Sequence, residues 1–150
     1  KWYAVDDDGG FIDAMNRSEA RGTRRLPSAV KDRIKVWIQL GYPKKSVEQK
    51  IVEQHCSEYK LSPKHIELIL QIVHKTRDDA QVAQPASIRS SIGVARLAAE
   101  RAKRGAKPVD NATLAQAGKL VLSEAIQMKP GKEVGTYLDA LFTEILGTAG

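Results

Sequence analysis

The hydrophobic period of this 150-residue chain changes at Gly41-Tyr42-Pro43, and this change constrains the fold more than any other feature. Before it, short apolar runs alternate with Gly- and Asp-rich turns, a pattern typical of strands. After it, apolar residues recur every three or four positions almost to the C-terminus, which predicts amphipathic helices. We therefore expect a strand-containing segment at 1–43, a hinge at Gly41–Pro43 and a helical remainder.

Two or three short strands are expected in the N-terminal segment. The apolar runs Trp2–Val5 and Phe11–Met15 flank the turn sequence Asp6–Gly10, so we expect them to pair as a hairpin. A short helix from Leu26 to about Asp32 follows, because Leu-Pro-Ser is typical of a helix start. The alternation in Lys35–Leu40 predicts the last strand of this segment.

Capping residues mark the helix boundaries in residues 44–129. Ser62-Pro63 combines a capping serine with proline at the first helical position, and Ser87 and either Asp110 or Asn111 begin later helices. Gln81–Pro85 lacks a helical period, and we expect it to be a loop. Four helices therefore fit this segment. Their expected inward positions share an apolar side chain: Val47, Ile51, Val52, Tyr59, Ile66, Ile69, Leu70, Val73, Ile88, Ile92, Ala95, Ala98, Ala99, Ala102, Leu114, Ala117, Val121 and Ala125.

The final segment, 130–150, follows a Pro-Gly break and carries an amphipathic stripe from Val134 to Leu146. The ordinary interpretation is one more helix packed on the bundle. The sharper one is a helix that docks on a partner, with Tyr137 and Phe142 as its anchors. With either interpretation the fold class is mainly α, with four to five helices.

Composition and charge limit the classes of function. The net charge of +6 favours anionic partners weakly, and a solvated surface accounts for most of the dispersed basic residues. The single cysteine, Cys56, excludes an intramolecular disulfide and is typical of a reducing compartment. His55, His65 and His74 lack the spacing of a metal site. No apolar run reaches membrane-spanning length, and we expect a cytoplasmic protein.

A series of short motifs follows the same order and spacing as a known family. They are Phe11-Ile12 leading to Asn16, Gly22-Thr23, Leu26-Pro27, Ala29, Asp32-Arg33, Gly41-Tyr42-Pro43 and Ser87-Ile88-Arg89. Over residues 10–128 the series resembles the C-terminal half of an AAA+ ATPase of the MoxR type. The resemblance implies the C-terminal remnant of an α/β AAA+ core at 1–43 and a helical lid domain at 44–129.

The resemblance implies catalytic roles for residues of the N-terminal segment. Phosphoryl transfer needs an oriented water and charge stabilisation around the terminal phosphate. The resemblance implies that Asn16 is sensor 1, a neutral amide that hydrogen-bonds the attacking water and a phosphate oxygen. Taken alone, Asn16 is better explained as a turn asparagine that closes a strand. Arg33 is implied as the arginine finger, because a guanidinium is permanently charged and contacts two phosphate oxygens. Arg24 and Arg25 are close alternatives, and an ion pair with Asp32 is the plainer role for Arg33.

The same resemblance places nucleotide-binding residues at the start of the third lid helix. Arg89 resembles sensor 2, which contacts the nucleotide of its own subunit, and Ser87 lies beside it. The plain alternative is an exposed first-turn arginine. However, an arginine at a helix N-terminus is electrostatically unfavourable unless an anion is nearby, which favours a phosphate partner.

The phosphate-binding loop of such an enzyme is missing from this chain. No G-x-x-x-x-G-K-[ST] sequence occurs, and neither Gly118-Lys119 nor Gly131-Lys132 has the flanking residues that the motif requires. We therefore expect this chain to be part of a longer ATPase, whose other part holds the Mg²⁺ ligands, and to hydrolyse no ATP by itself. The resemblance implies ATP and Mg²⁺ as cofactors, a hexameric ring and a remodelled protein client.

A second hypothesis is a non-enzymatic basic helical module that binds nucleic acid or a protein partner. The net positive charge favours it. Against it, no helix shows the Lys- and Arg-rich face with interleaved aromatic residues that nucleic-acid readers carry.

Overall fold

The computed structural model describes residues 3–4, 11–12, 38 and 40–148 of the chain. The chain divides between Gly41 and Tyr42 into two compact units. This division falls inside the segment Gly41–Pro43, at which the hydrophobic period of the sequence changes.

The N-terminal unit contains one antiparallel strand pair among its described residues. Strand β1 (Tyr3–Ala4) pairs with β2 (Phe11–Ile12), with Tyr3 opposite Ile12 and Ala4 opposite Phe11. This is the predicted hairpin pairing. The predicted helix from Leu26 to Asp32 lies outside the described residues.

The strand predicted at Lys35–Leu40 is wrong at the two positions that the structure describes. Ile38 and Leu40 have no regular secondary structure, and their exposed fractions are 78% and 84%. Alternating residues form a strand only where a second strand satisfies their backbone groups, and neither position takes part in a described strand pair.

The C-terminal unit is mainly helical, as expected. Its described residues form a 3₁₀ turn at Ser57–Tyr59 and five helices: α1 (Lys45–His55), α2 (Pro63–Asp78), α3 (Ile88–Arg104), α4 (Asn111–Ala125) and α5 (Val134–Leu146). None of the helices in the described part of the chain is long and apolar enough to cross a membrane.

The helix starts follow the capping residues. The Ser62 hydroxyl oxygen accepts a hydrogen bond from the His65 N–H at 3.2 Å, and Pro63 takes the first helical position. Asp110 is the cap of α4, because its carboxylate accepts from the Thr113 N–H at 2.7 Å and Asn111 is already helical. Helix α3 ends before Gly105, as predicted.

The prediction that Gln81–Pro85 is a loop is wrong for three of its residues. Val82–Gln84 forms strand β3, which pairs antiparallel with β4 (Gln127–Met128), with Val82 opposite Met128. Strands of two or three residues are too short to show a period, and this pairing joins segments that are distant in the sequence. The sequence pattern therefore carried no signal for it.

The core lies between the five helices and includes most of the predicted inward positions. One prediction is wrong, because Val47 has an exposed fraction of 44%. Six of the predicted positions are half-buried: Ile51, Tyr59, Ile88, Ile92, Val121 and Ala125. The buried face of α4 contains the predicted Leu114 and Ala117, and its other buried residues are Ala115, Gly118 and Leu122.

Two glycines allow close contact between α3, α4 and α5. A Cβ atom at Gly118 would lie 2.8 Å from Cζ of Phe142, and one at Gly93 would lie 3.2 Å from Cγ1 of Val121. We call these two contacts the glycine seam. Phe142 is fully buried, so α5 packs on the bundle and does not present this ring to a partner.

Candidate functional site

Four of the predicted site residues lie outside the described part of the chain: Asn16, Arg24, Arg25 and Arg33. The other two, Ser87 and Arg89, lie at the start of α3. The described part of the candidate site therefore consists of the start of α3 and the residues that hold it in place.

The start of α3 has the properties of an anion-binding helix end. Ser87 is its cap residue in an extended conformation, and the serine side chain makes no capping hydrogen bond. Arg89 is the second helical residue and is exposed. First-turn N–H groups lack intrahelical acceptors, and the helix dipole is positive at this end. An exposed guanidinium beside them can bind a phosphate or carboxylate group.

The residue just before this helix start is held through both of its backbone groups. Ala86 is fully buried. Its N–H donates to Oγ1 of Thr76 at 3.1 Å, and its carbonyl oxygen accepts from Nε of Arg77 at 3.2 Å. Thr76 in turn donates to the Val73 carbonyl oxygen at 2.7 Å. Two successive residues of α2 therefore fix the chain where it enters α3.

Arg77 belongs to a group of largely buried ionisable residues, which we call the arginine network: Glu48, His74 and Arg77. Nη1 of Arg77 donates to both carboxylate oxygens of Glu48, at 2.8 and 2.9 Å, and Nε2 of His74 hydrogen-bonds to one of them. The Glu48 side chain is fully buried, and the Arg77 side chain is 10% exposed. Nη2 of Arg77 is buried and has no hydrogen-bond partner among the described residues. The network fixes the guanidinium plane between α1 and α2.

The same guanidinium contacts the segment at which the two units divide. Cζ of Arg77 lies 3.8 Å from the centroid of the Tyr42 ring, a cation–π contact. The Tyr42 side chain remains about half exposed. A continuous series of contacts therefore leads from Tyr42 through Arg77 to Ala86, the residue before Ser87.

Sequence reasoning missed the arginine network, although one signal was present. Glu48 precedes Val52 by four residues, and Arg77 follows Val73 by four, so both charges lie on the apolar faces of their helices. A charged residue on an apolar face is seldom buried unless it is paired. The solvated surface expected for most of the basic residues does not apply to Arg77, whose side chain is 10% exposed.

Other polar groups of the helical unit form no comparable site. A cavity of about 570 Å³ opens beside His65 and Lys103, and one of about 610 Å³ opens beside His74; Ser87 and Arg89 line neither. Burial raises the pKa of the Cys56 thiol, which is typical of a structural cysteine. No group of three His, Cys, Asp or Glu residues that could hold a metal ion occurs within the described ranges.

Comparison with known proteins gives no match, whether with family models, curated proteins or solved structures. Function is therefore inferred from the residues and geometry of this chain.

Proposed function

We propose that this chain is the sensor-and-lid part of a MoxR-type AAA+ ATPase, and that Arg89 contacts a phosphate of the bound nucleotide. The observation that supports the proposal best is the position of Arg89, exposed in the first turn of α3 beside an uncommitted Ser87. The helix dipole disfavours a cation there, and a phosphate group removes this penalty. The guanidinium supplies the geometry for two charge-assisted hydrogen bonds.

The remaining roles belong to the N-terminal segment and to the rest of the parent protein. Asn16 orients the attacking water, and Arg33 acts in the site of the next subunit of a ring, with Arg24 and Arg25 as alternatives. ATP and Mg²⁺ are held by a Walker A loop that the parent protein supplies. Phosphoryl transfer depends on positioning and charge stabilisation, so none of these residues has to form a covalent bond with the substrate.

In this proposal, ATP hydrolysis rotates the helical lid about Gly41–Pro43, and this rotation remodels a protein client. A Cβ atom at Gly41 would have no described atom outside its chain neighbours within 4 Å, and the chain divides into two compact units directly after it. A few residues between two compact units are the usual place for hinge rotation. The client is a protein that the ring remodels.

The gene that encodes this chain provides the first test. A Walker A sequence within about a hundred residues upstream of Lys1, a domain-sized distance, supports the proposal. A complete open reading frame without that loop would refute it.

Hydrolysis by the parent protein provides the second test. We expect Arg33→Ala to abolish ATP turnover and to leave nucleotide binding largely intact, because a finger acts on the transition state in a neighbouring site. Arg24→Ala and Arg25→Ala, assayed in parallel, identify the finger. Normal turnover in all three variants would contradict the assignment.

One observation favours the second candidate function, binding to nucleic acid. The last turn of α3 carries Arg101, Lys103 and Arg104. Basic residues at a helix C-terminus also compensate the dipole, which explains them without a ligand. Binding of the chain to duplex DNA or RNA, weakening steeply with salt and lost in Lys103→Ala/Arg104→Ala, would support this candidate over the ATPase.

A further inference from the structure

We propose that Arg77 is a positioning residue: it couples Tyr42 to Ala86 and so sets the orientation of the first turn of α3, on which Arg89 lies. The importance of that turn for nucleotide contact rests on the proposed function. The coupling itself rests on contacts within the helical unit.

Arg77 uses three parts of one rigid group in three directions. Nη1 binds the Glu48 carboxylate, Nε donates to the Ala86 carbonyl oxygen, and the face of the guanidinium covers the Tyr42 ring. Because the guanidinium is planar, these contacts cannot change independently. A displacement of the Tyr42 ring that rotates this plane also turns the Nε–H away from Ala86. A lysine ammonium, whose three N–H donors share one nitrogen and define no plane, cannot transmit the displacement.

The energetics of the arginine network also fit a geometric role. A buried ion pair is a poor source of stability, since well-packed apolar residues of similar volume do as well or better. Here the pair additionally leaves Nη2 of Arg77 buried without a partner among the described residues, which is a further cost. What an apolar pair could not supply is a fixed guanidinium plane. The costs are therefore consistent with a residue kept for orientation.

Thr76 provides the natural control. It holds the N–H of Ala86, whereas Arg77 holds the carbonyl oxygen, and the Thr76 hydroxyl donates to the Val73 carbonyl oxygen within α2. Both anchors come from α2, and Arg77 is the one whose guanidinium lies over the ring of Tyr42, the first residue of the helical unit. Loss of Thr76 should loosen the α3 start without changing its response to Tyr42.

Amide hydrogen exchange measured by NMR on this chain tests the coupling through two reporters. The Ala86 N–H is bonded to Thr76, and the Ser90 N–H donates to the Ser87 carbonyl oxygen at 2.9 Å in the first turn of α3. We expect Tyr42→Ala to speed exchange at both reporters about threefold, the scale of one lost cation–π contact. Tyr42→Phe, which keeps a ring, should leave both rates near those of the unmodified chain.

A double-mutant cycle then assigns the coupling to Arg77. In an Arg77→Lys background, Tyr42→Ala should not change the exchange rate of the Ser90 N–H any further. In a Thr76→Val background, Tyr42→Ala should still speed that exchange about threefold. An equal effect of Tyr42→Ala in the Arg77→Lys background would overturn the proposal. So would an unchanged Ser90 rate in Tyr42→Ala alone, which decides the question even where Arg77→Lys fails to fold. No nucleotide is used, so the outcome is independent of the tests of the ATPase.

Discussion

Two sides of the helical unit are stabilised in opposite ways. Between α1 and α2, the arginine network buries a carboxylate, a guanidinium and an imidazole in direct contact. Between α3, α4 and α5, the glycine seam brings helices together over Gly93 and Gly118 through apolar contacts, and the ion pair that joins α4 to α5, Lys119 with Asp139, is partly exposed. The first side depends on the direction of hydrogen bonds, and the second depends on shape.

This difference separates stability from positioning. The hydrophobic effect is non-directional, and it stabilises in proportion to the apolar area removed from water. We expect the arginine network, as a buried ion pair, to contribute little net stability, and its hydrogen bond to Ala86 holds the chain where it enters α3. We therefore place the functional role on the α1–α2 side and the main stabilising role on the α3–α5 side.

Phe142→Ala is expected to have the largest effect on stability. Phe142 is fully buried against α4, and deleting such a ring typically costs about 3–5 kcal/mol in lost burial and cavity formation. The free energy of unfolding in urea measures it. Leu120→Ala, at an exposed position of α4, should change that free energy by less than about 0.5 kcal/mol. If Phe142→Ala lowers the free energy of unfolding by less than about 1 kcal/mol, the glycine seam is not the main source of stability.

Glu48→Gln is expected to have the second largest effect, because it leaves the buried guanidinium of Arg77 without its counter-charge. The free energy of unfolding, measured in urea, should fall by about 3 kcal/mol. Glu144→Gln is the matched control. Glu144 pairs with Lys75 at 2.8 Å on the surface, and such pairs contribute about 0.2–1 kcal/mol. The double replacement Glu48→Leu/Arg77→Met should recover most of the stability lost in Glu48→Gln. If the double variant is less stable than Glu48→Gln, the network is a source of stability and the comparison fails.

Gly118→Ala should cost about 1–3 kcal/mol, because the added methyl group would clash with the Phe142 ring and the core would be overpacked. At Gly135, which has open space around it in α5, the same change should be neutral or stabilising by up to about 1 kcal/mol. Thermal unfolding of the two variants makes the comparison directly. Equal effects at the two positions would contradict the close approach of α4 and α5.

The smallest effect concerns pH. The backbone N–H of Thr113 and then its hydroxyl group, both bonded to Asp110, lower the pKa of that carboxyl below its usual value. Its stabilising contribution is therefore present above the pKa of the unfolded chain, about 3.9, and is lost as the pH falls through the folded value. The stability difference between the unmodified chain and Asp110→Asn should shrink on acidification from pH 6 to below about 3. A difference that is constant over this range would exclude the contribution.

Local sequence signals predicted the helices because capping and apolar periodicity act within a few residues. Ser62-Pro63 and Gly105 fixed helix boundaries correctly, and the alanine face of α3 is buried as expected. The β3–β4 pairing was missed since it depends on contacts between distant segments. The burial of Leu122 was missed because the buried face of α4 is set by how α5 packs on it.

The candidate site was predictable only in part, for the same reason. Motif order located Ser87 and Arg89, and the structure places them at the start of a helix. The support of that helix start, from Tyr42 through Arg77 to Ala86, requires three segments to meet. The sequence of any one of these segments does not predict that it contacts the other two. Glu48 on an apolar face indicated only that it has a buried partner.

Equilibrium binding of ATP to the parent protein tests the central claim most directly, with Arg89→Ala compared with Arg104→Ala at the other end of the same helix. Loss of a charge-assisted contact to phosphate should weaken binding by about tenfold or more in Arg89→Ala, and Arg104→Ala should bind as the unmodified protein does. Equal affinities for both variants would contradict the assignment of Arg89 as the nucleotide contact of the lid.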